Sequence, residues 1–183
     1  IGPGEYLACA HLPYNSRLLS LLRAREFRLV LTVRHPGAVV VSAAHYLLGD
    51  PTCTCAEALS GLEWPEVLRR VIHGLPPAVW PSGRVAPWFG IREQYAAVAG
   101  WLPHALTVRY EDLVGPQGGG SEALQARVVR KVLEWVGADA GAEQVRAVAA
   151  NLYGWTRTFR RGQVGSWREE MSPDVQAELD RAV

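Results

Sequence analysis

Two rhythms of apolar and polar positions run through the chain. Short, almost continuous apolar runs predict strands, and apolar residues three and four apart predict helices. Residues 6–10 (YLACA) read as a first strand, closed by His11, Leu12 and Pro13. Asn15 or Ser16 caps a helix reaching about residue 25, with Leu18, Leu19, Leu21 and Leu22 on its apolar side. Residues 27–33 (FRLVLTV) are rich in β-formers and nearly all apolar, the pattern of a buried parallel strand. Pro36 stands where a first helical residue is favoured, since the N–H it lacks has no intrahelical acceptor there; that helix runs to about residue 48.

Residues 49–55 read as a loop and 63–73 as a helix. Residues 74–90 (GLPPAVWPSGRVAPWFG) are too broken by Pro and Gly for regular structure and read as a lid or substrate-lining loop. A helix over 91–102, a strand over 105–110 (ALTVRY), a glycine-rich flexible turn at 115–120, and helices over 124–136 and 143–152 follow. A basic loop then precedes a last helix with Ser172 as cap and Pro173 at its start. No internal repeat or linker divides the chain, so one domain over residues 1–183 is expected. Strands alternating with helices predict a three-layer α/β/α fold with a central parallel sheet. Ligands in such folds sit beyond the carboxyl ends of the strands. His11, Arg34 and the group Arg109, Tyr110, Glu111 and Asp112 fall there.

Composition narrows the function classes. The chain has 183 residues, 49% of them apolar, and a formal charge of +1. That balance argues against a nucleic-acid-binding or disordered protein. No apolar run nears the ~18 residues of a membrane span. Lys131 is the only lysine, so almost all positive charge is arginine, which suits bidentate binding of phosphate or sulfate. Three cysteines, Cys9, Cys53 and Cys55, argue against a disulfide scaffold and for a reducing, cytoplasmic setting. Cys53 and Cys55 have no second Cys/His pair, and no metal site is expected.

Two segments carry candidate chemistry. Arg34 ends a strand just before a helix N-terminus, where free N–H groups and a partial positive charge favour anions. Ser42 lies eight residues on and reaches such an anion only from the helix flank. The alternative is that Arg34 pairs with a carboxylate and Ser42 with a backbone carbonyl. In FRRGQVGSW (159–167), Arg160 and Arg161 precede Gly162, which permits close backbone approach or a positive φ. This loop, with Arg157 and Arg168, either binds an anion or is a solvated basic loop paired with Glu169 and Glu170. His11, at a strand end, is either a general base or structural.

Taken together, RHPGAVVVSAAHY, VRYEDLVG and TFRRGQVGSWREEMSP resemble, in order and rough spacing, motifs of the sulfotransferases that use 3′-phosphoadenosine 5′-phosphosulfate (PAPS), and CAHLPY resembles the segment around that family's catalytic histidine. The resemblance spans about residues 6–183 and implies a P-loop NTPase-like sulfotransferase fold. It implies that Arg34, Ser42, Arg160, Arg161 and Gly162 hold the nucleotide 3′-phosphate, that Tyr110 lies near the adenine, and that Tyr153 contacts it. It implies that His11 takes the proton from an acceptor hydroxyl or amine. The acceptor oxygen or nitrogen would attack sulfur in line, the bridging phosphate oxygen would leave, and 3′,5′-bisphosphoadenosine would be the product, without a metal. Trp80, Trp88 and Phe89 are candidate contacts to a small-molecule acceptor.

The sequence also departs from that family. Its glycine-rich loop with Lys and Ser/Thr, which cradles the 5′-phosphosulfate, has no counterpart here, and IGPGEY is followed by no Lys-Ser/Thr. Cys9 stands where many relatives have lysine, Gly37 and Ala38 replace a basic-acidic pair, and Ser166 replaces an aspartate. The expectation is an N-terminally truncated domain, about the C-terminal three-quarters of a complete one. A non-catalytic module for 3′-phosphorylated adenine nucleotides is the alternative; an ATP-using P-loop kinase ranks below both.

Overall fold

The structure is a computed structural model that describes residues 9, 11–49, 55–79, 83, 85–154 and 159–183. The strand expected over 6–10 lies, apart from Cys9, outside the described residues, as do Cys53, Trp80 and Arg157.

Helix α1 (Ser16–Ala24) starts where Asn15 Oδ1 accepts the Leu18 N–H at 3.0 Å, the expected cap. Strand β1 (Val30–Val33) leads into α2 (Pro36–Gly49), followed by α3 (Cys55–Leu59) and α4 (Trp64–His73). Where the Pro and Gly content of 74–90 predicts an irregular loop, residues 74–79 and 85–89 pair as the antiparallel strands β2 (Gly74–Val79) and β3 (Val85–Phe89). The pairing shifts register between Leu75 and Ala78, so Pro76 and Pro77 fall in the irregularity, where no ladder N–H is required. Helix α5 (Ile91–Ala99) and a 3₁₀ turn (Leu102–His104) lead to β4 (Leu106–Arg109) and the short helix α6 (Tyr110–Leu113). Then come a 3₁₀ turn at Pro116–Gly118, α7 (Glu122–Val136), α8 (Ala142–Ala150), a 3₁₀ turn at Ser166–Glu169 and α9 (Pro173–Ala182). Ser172 holds the N-cap position of α9, but its Oγ is buried and makes no capping bond.

The chain is therefore α/β. Among the described residues the parallel sheet is the pair β1 and β4, with Val33 opposite Arg109. The strand is shorter than expected and is not buried on both faces: Val30 and Thr32 are exposed. The register puts Arg34 and Tyr110, the residues just after each strand, at one end of the sheet.

The core is built around α2. Val40, Val41, Ala44 and Leu47 pack against Val67, Leu68, Val71 and Ile72 of α4 and Val175 and Leu179 of α9, all at most 2% exposed. Nearly every face of α2 is covered, so an apolar sequence without an amphipathic stripe suits it. Burying each such side chain contributes roughly 1.5–3 kcal/mol.

The β1–α2 corner is fixed by three contacts. His35 caps α2: its C=O accepts from Val39 N–H at 3.1 Å, and its Nδ1 accepts from Gly37 N–H at 3.1 Å. An accepting Nδ1 assigns the neutral ring its proton on Nε2. The imidazole stacks on Trp167, with ring centroids 4.6 Å apart. Trp167 in turn covers Gly37 so closely that a Cβ there would meet its ring at 2.5 Å.

Two outcomes follow from this corner. In an open helix position Gly→Ala stabilises by up to about 1 kcal/mol. Gly37→Ala instead drives a methyl into Trp167 and should destabilise by about 1–3 kcal/mol in urea unfolding; a gain in stability would mean that Trp167 is not seated there. The pKa of His35 lies below its ordinary 6.5, through burial first and then Arg168, with Arg109 acting the same way and Glu111 opposing. The unfolded chain thus takes up a proton that the folded chain resists. Stability is complete above about pH 6.5 and falls as pH drops toward the lowered value. His35→Asn, which keeps a capping oxygen but does not titrate, should flatten this acid-side slope of the urea midpoint between pH 7.5 and 5.5.

Candidate functional site

The parallel register brings Arg34 and Tyr110 side by side. The guanidinium lies 4.3 Å over the tyrosine ring, a cation–π pair that holds its plane. The Nε of Arg34 is buried and has no hydrogen-bond partner among the described residues. The Tyr95 hydroxyl of α5 donates to the Arg34 carbonyl. Burial, then the Glu111 charge, push that hydroxyl up to about 12 against the pull of Arg34, so it remains a donor. Glu111 Oε1 accepts the His35 N–H at 2.8 Å. Glu111 thus forms a clamp between the two strand ends.

The basic loop folds against the same end. Gly162 has φ +64°, and a Cβ there would run into the Phe159 ring and lie 2.8 Å from Tyr153 Oη. Backbone conformation and crowding both require glycine there. The Tyr153 hydroxyl donates to the Arg161 carbonyl at 3.2 Å and accepts from Gln163 Nε2 at 2.9 Å, while its ring meets Phe159 edge-on at 5.1 Å. Val164 N–H donates to the Gly118 carbonyl at 2.8 Å, and Gln163 Nε2 donates to the Gln117 carbonyl at 2.8 Å. The glycine-rich turn at 115–120 therefore serves as a seat for the loop.

Two of the loop's arginines, Arg160 and Arg161, are paired with carboxylates. Arg160 makes a two-pronged contact to Glu170, at 2.7 and 3.1 Å, and Arg161 reaches Glu169 at 2.7 Å and Glu170 at 3.4 Å. Glu170 also meets His45 Nε2 at 2.7 Å, and its carbonyl accepts from Trp64 Nε1 at 2.7 Å. Burial alone raises the Glu170 pKa, but the hydrogen bonds of Arg160 and then His45 outweigh it, and the carboxyl titrates below its ordinary range. The sequence left open whether these arginines face an anion or Glu169 and Glu170; the structure pairs them with the glutamates.

Two cavities adjoin this assembly. The larger, about 290 Å³, is lined by all seven residues proposed from sequence to hold the nucleotide: Arg34, Ser42, Tyr110, Tyr153, Arg160, Arg161 and Gly162. Strand end, helix flank, α6 start and basic loop thus converge on one space. The smaller cavity, about 180 Å³, lies beside it and shares Arg34, Tyr110, Ala38 and Trp167.

His11 is exposed and lines neither cavity. Its segment is nevertheless anchored: Trp101 Nε1 donates to the Leu12 carbonyl at 3.1 Å, and Tyr14 N–H donates to the Ala97 carbonyl at 2.6 Å. Tyr14 sits against Gly100, edge-on to Trp101 at 5.1 Å. Of the acceptor candidates, Trp88 is half-buried against the core and Phe89 is 57% exposed on β3, both outside the two cavities. Sequence reasoning missed Trp167 as the keystone of the loop, and His35 and Gln163 as cavity-lining groups; Arg109 and Arg168, which it placed at a strand end and in the basic loop, line the smaller cavity. The histidine directly before a helix-starting proline was the available signal for a cap.

Among the described residues no group of three or more His, Cys, Asp or Glu is placed to hold a metal ion, and no helix is long and apolar enough to cross a membrane. No protein-family model and no curated protein sequence matches the chain. Among solved structures it is similar to mouse sulfotransferase SULT7A1 complexed with PAP, with a TM-score of 0.62 and 16% identity. The match covers 89% of this chain and 59% of that one, so the chain spans less than two-thirds of that enzyme's length. At this identity the likeness speaks for the fold: the chain has an α/β fold of the sulfotransferase kind.

Proposed function

We propose that the chain is the nucleotide-binding part of a PAPS-dependent sulfotransferase, with the larger cavity as the seat of the 3′-phosphate. One observation carries this reading. Seven residues chosen by their resemblance to sulfotransferase motifs, spread from position 34 to 162, line a single cavity. The chemistry of the wall fits the group. Arg34 brings a buried Nε–H without a partner, Gly162 leaves the backbone open where a side chain would intrude, and Tyr110 and Tyr153 offer aromatic surface for a purine. The PAP held by the mouse enzyme, 3′,5′-bisphosphoadenosine, is a ligand of this class. The chain's helices and parallel strands then form part of a three-layer domain.

In this reading Arg34 and Ser42 approach the phosphate from the corner, while Arg160 and Arg161 approach from the loop, drawing on guanidinium groups now paired with Glu169 and Glu170. His11, on the segment anchored by Trp101, serves as general base for a hydroxyl or amine of a small-molecule acceptor. With PAPS as donor, the acceptor oxygen or nitrogen would attack sulfur as the bond to the bridging phosphate oxygen breaks, and preorganised donors would stabilise the charge developing on that departing oxygen. The second reading, a non-catalytic module for 3′-phosphorylated adenine nucleotides, is favoured by one feature: His11 lines neither cavity.

Calorimetric titration with 3′,5′-bisphosphoadenosine tests the site. Binding should be saturable and should weaken roughly 10–100-fold in Arg34→Ala, the range of hydrogen bonds to a charged group at about 1.5–3 kcal/mol. Absence of binding by the unaltered chain would falsify the reading. An assay of sulfuryl transfer separates the two functions. Under the enzyme reading, His11→Ala retains nucleotide affinity and loses roughly 10²–10⁴-fold in transfer rate. Equal transfer rates would remove His11 from the chemistry, and binding without any transfer would favour the module.

A further inference from the structure

The two sides of the larger cavity hold their cations in different states. Arg34, Arg160 and Arg161 line it, and no carboxylate does. On the corner side Arg34 is ready for an anion. The Tyr110 ring sets its plane, and its buried Nε has no hydrogen-bond partner among the described residues. On the loop side both guanidinium groups are already engaged, by carboxylates that are not part of the cavity wall. Glu170 takes Arg160 through both of its oxygens, at 2.7 and 3.1 Å, and reaches Arg161 at 3.4 Å. Glu169 takes Arg161 at 2.7 Å. The planar fork that grips a carboxylate is the same fork that grips a phosphate. Both terminal nitrogens of Arg160 are committed to Glu170, so a phosphate that takes them must displace that carboxylate.

Glu170 is placed to release them. Its backbone is fixed independently of its side chain: the carbonyl accepts from Trp64 Nε1 at 2.7 Å, and the N–H donates to the Trp167 carbonyl at 3.2 Å. Its carboxylate has a further partner on α2, His45 Nε2 at 2.7 Å. Leaving the arginines therefore does not strand an unpaired charge, the outcome that makes breaking a buried ion pair costly. The arginines are exposed and free to turn, while the Tyr153 hydroxyl holds the Arg161 carbonyl. The exchange thus needs rotation of side chains and no refolding of the loop. A phosphate monoester brings a charge of roughly −1.5 to −2 and three terminal oxygens, against one charge and two oxygens for a carboxylate.

We propose that Glu170 is an internal competitor for the 3′-phosphate: it occupies Arg160 and Arg161 in the free chain, and the phosphate takes them by displacing it onto His45. Glu169 plays a smaller part through Arg161 alone. The inference deepens the proposed function and rests on it for the identity of the ligand. It makes Glu170 an affinity-determining residue that never touches the nucleotide. The same carboxylate that keeps the basic loop in shape when the cavity is empty subtracts from binding when the ligand arrives.

The test is a double-mutant cycle read by calorimetric titration with 3′,5′-bisphosphoadenosine, on the unaltered chain, Glu170→Gln, Arg160→Gln and the pair combined. Glutamine keeps the shape of Glu170 and removes its charge, and an unchanged melting temperature verifies folding. Glu170→Gln should bind the nucleotide roughly 3–10-fold more tightly, between the scales of an exposed ion pair and a charge-assisted hydrogen bond. In the Arg160→Gln background that gain should shrink to less than about twofold, because the contact to be broken is already gone. Weaker or unchanged binding by folded Glu170→Gln overturns the proposal, since a residue that only shapes the loop gives that result. An equal gain with and without Arg160 overturns it as well, since a general effect of net charge gives that one. If Glu170→Gln melts early, Glu169→Gln serves in its place, on a side chain 66% exposed. It should give a gain of about twofold that vanishes with Arg161→Gln, and no gain there overturns the proposal equally. In all these outcomes the unaltered chain binds, so the proposed function stands. No binding by the unaltered chain removes that function, and the inference with it.

Discussion

The seating of Trp167 on the β1–α2 corner is the contact on which the rest of the site depends. The indole covers Gly37, stacks on His35 and is itself covered by Arg168. It is 8% exposed and belongs to the same core cluster as Val40, Val41 and Leu47. One side chain from the C-terminal quarter thereby joins the helix whose start sits beside Arg34. Without it the basic loop would keep the Val164–Gly118 and Gln163–Gln117 bonds, but its hold on α2 would be reduced to the His45–Glu170 contact. The glycine at 37 is the complementary requirement, because any side chain there would occupy the indole's place.

Charge is arranged around this seat in a graded way. Glu170, only 17% exposed, collects Arg160, Arg161 and His45, so a carboxylate that burial would neutralise stays ionised. Such a cluster holds a loop of like charges in one shape, as isolated surface pairs seldom do. Of the arginines of the neighbouring cavity, Arg34 and Arg168 lie against ring faces and have no carboxylate within 4 Å among the described residues, while Arg109 stands 3.7 Å from Glu111. The two cavities thus differ in electrostatic character although one arginine borders both.

Helix α5 links the remaining pieces. Its Tyr95 fixes the Arg34 carbonyl, and the Ala97 carbonyl two residues on fixes Tyr14 in the His11 segment. The acceptor candidates Trp88 and Phe89 sit on the strand just before it. The Arg34 corner and the His11 segment therefore meet on one short helix, though His11 lines neither cavity.

Local patterns were enough for much of this. Asn15 before an apolar helix, Pro36 at a helix start and ALTVRY as a strand are decided by capping geometry, a missing amide proton and β-propensity, all properties of neighbouring residues. The seven cavity residues were named together because their segments resemble sulfotransferase motifs; the strand end and the glycine-bearing loop by themselves marked only Arg34, Arg160, Arg161 and Gly162 as parts of candidate anion sites. The strand pairing within 74–90 was not legible: prolines break ladders in general, and only the shifted pairing of Leu75 and Ala78 showed that here they fall where no ladder bond is needed. Nor could residues 27–33 reveal an exposed face, since the coverage of a strand depends on what packs against it. Sequence alone determined which residue types could bind an anion and in what order they occur. Tertiary structure decided which arginines are neutralised and which are not, because Arg160 meets Glu170 ten residues away only when Trp167 has turned the chain back onto α2.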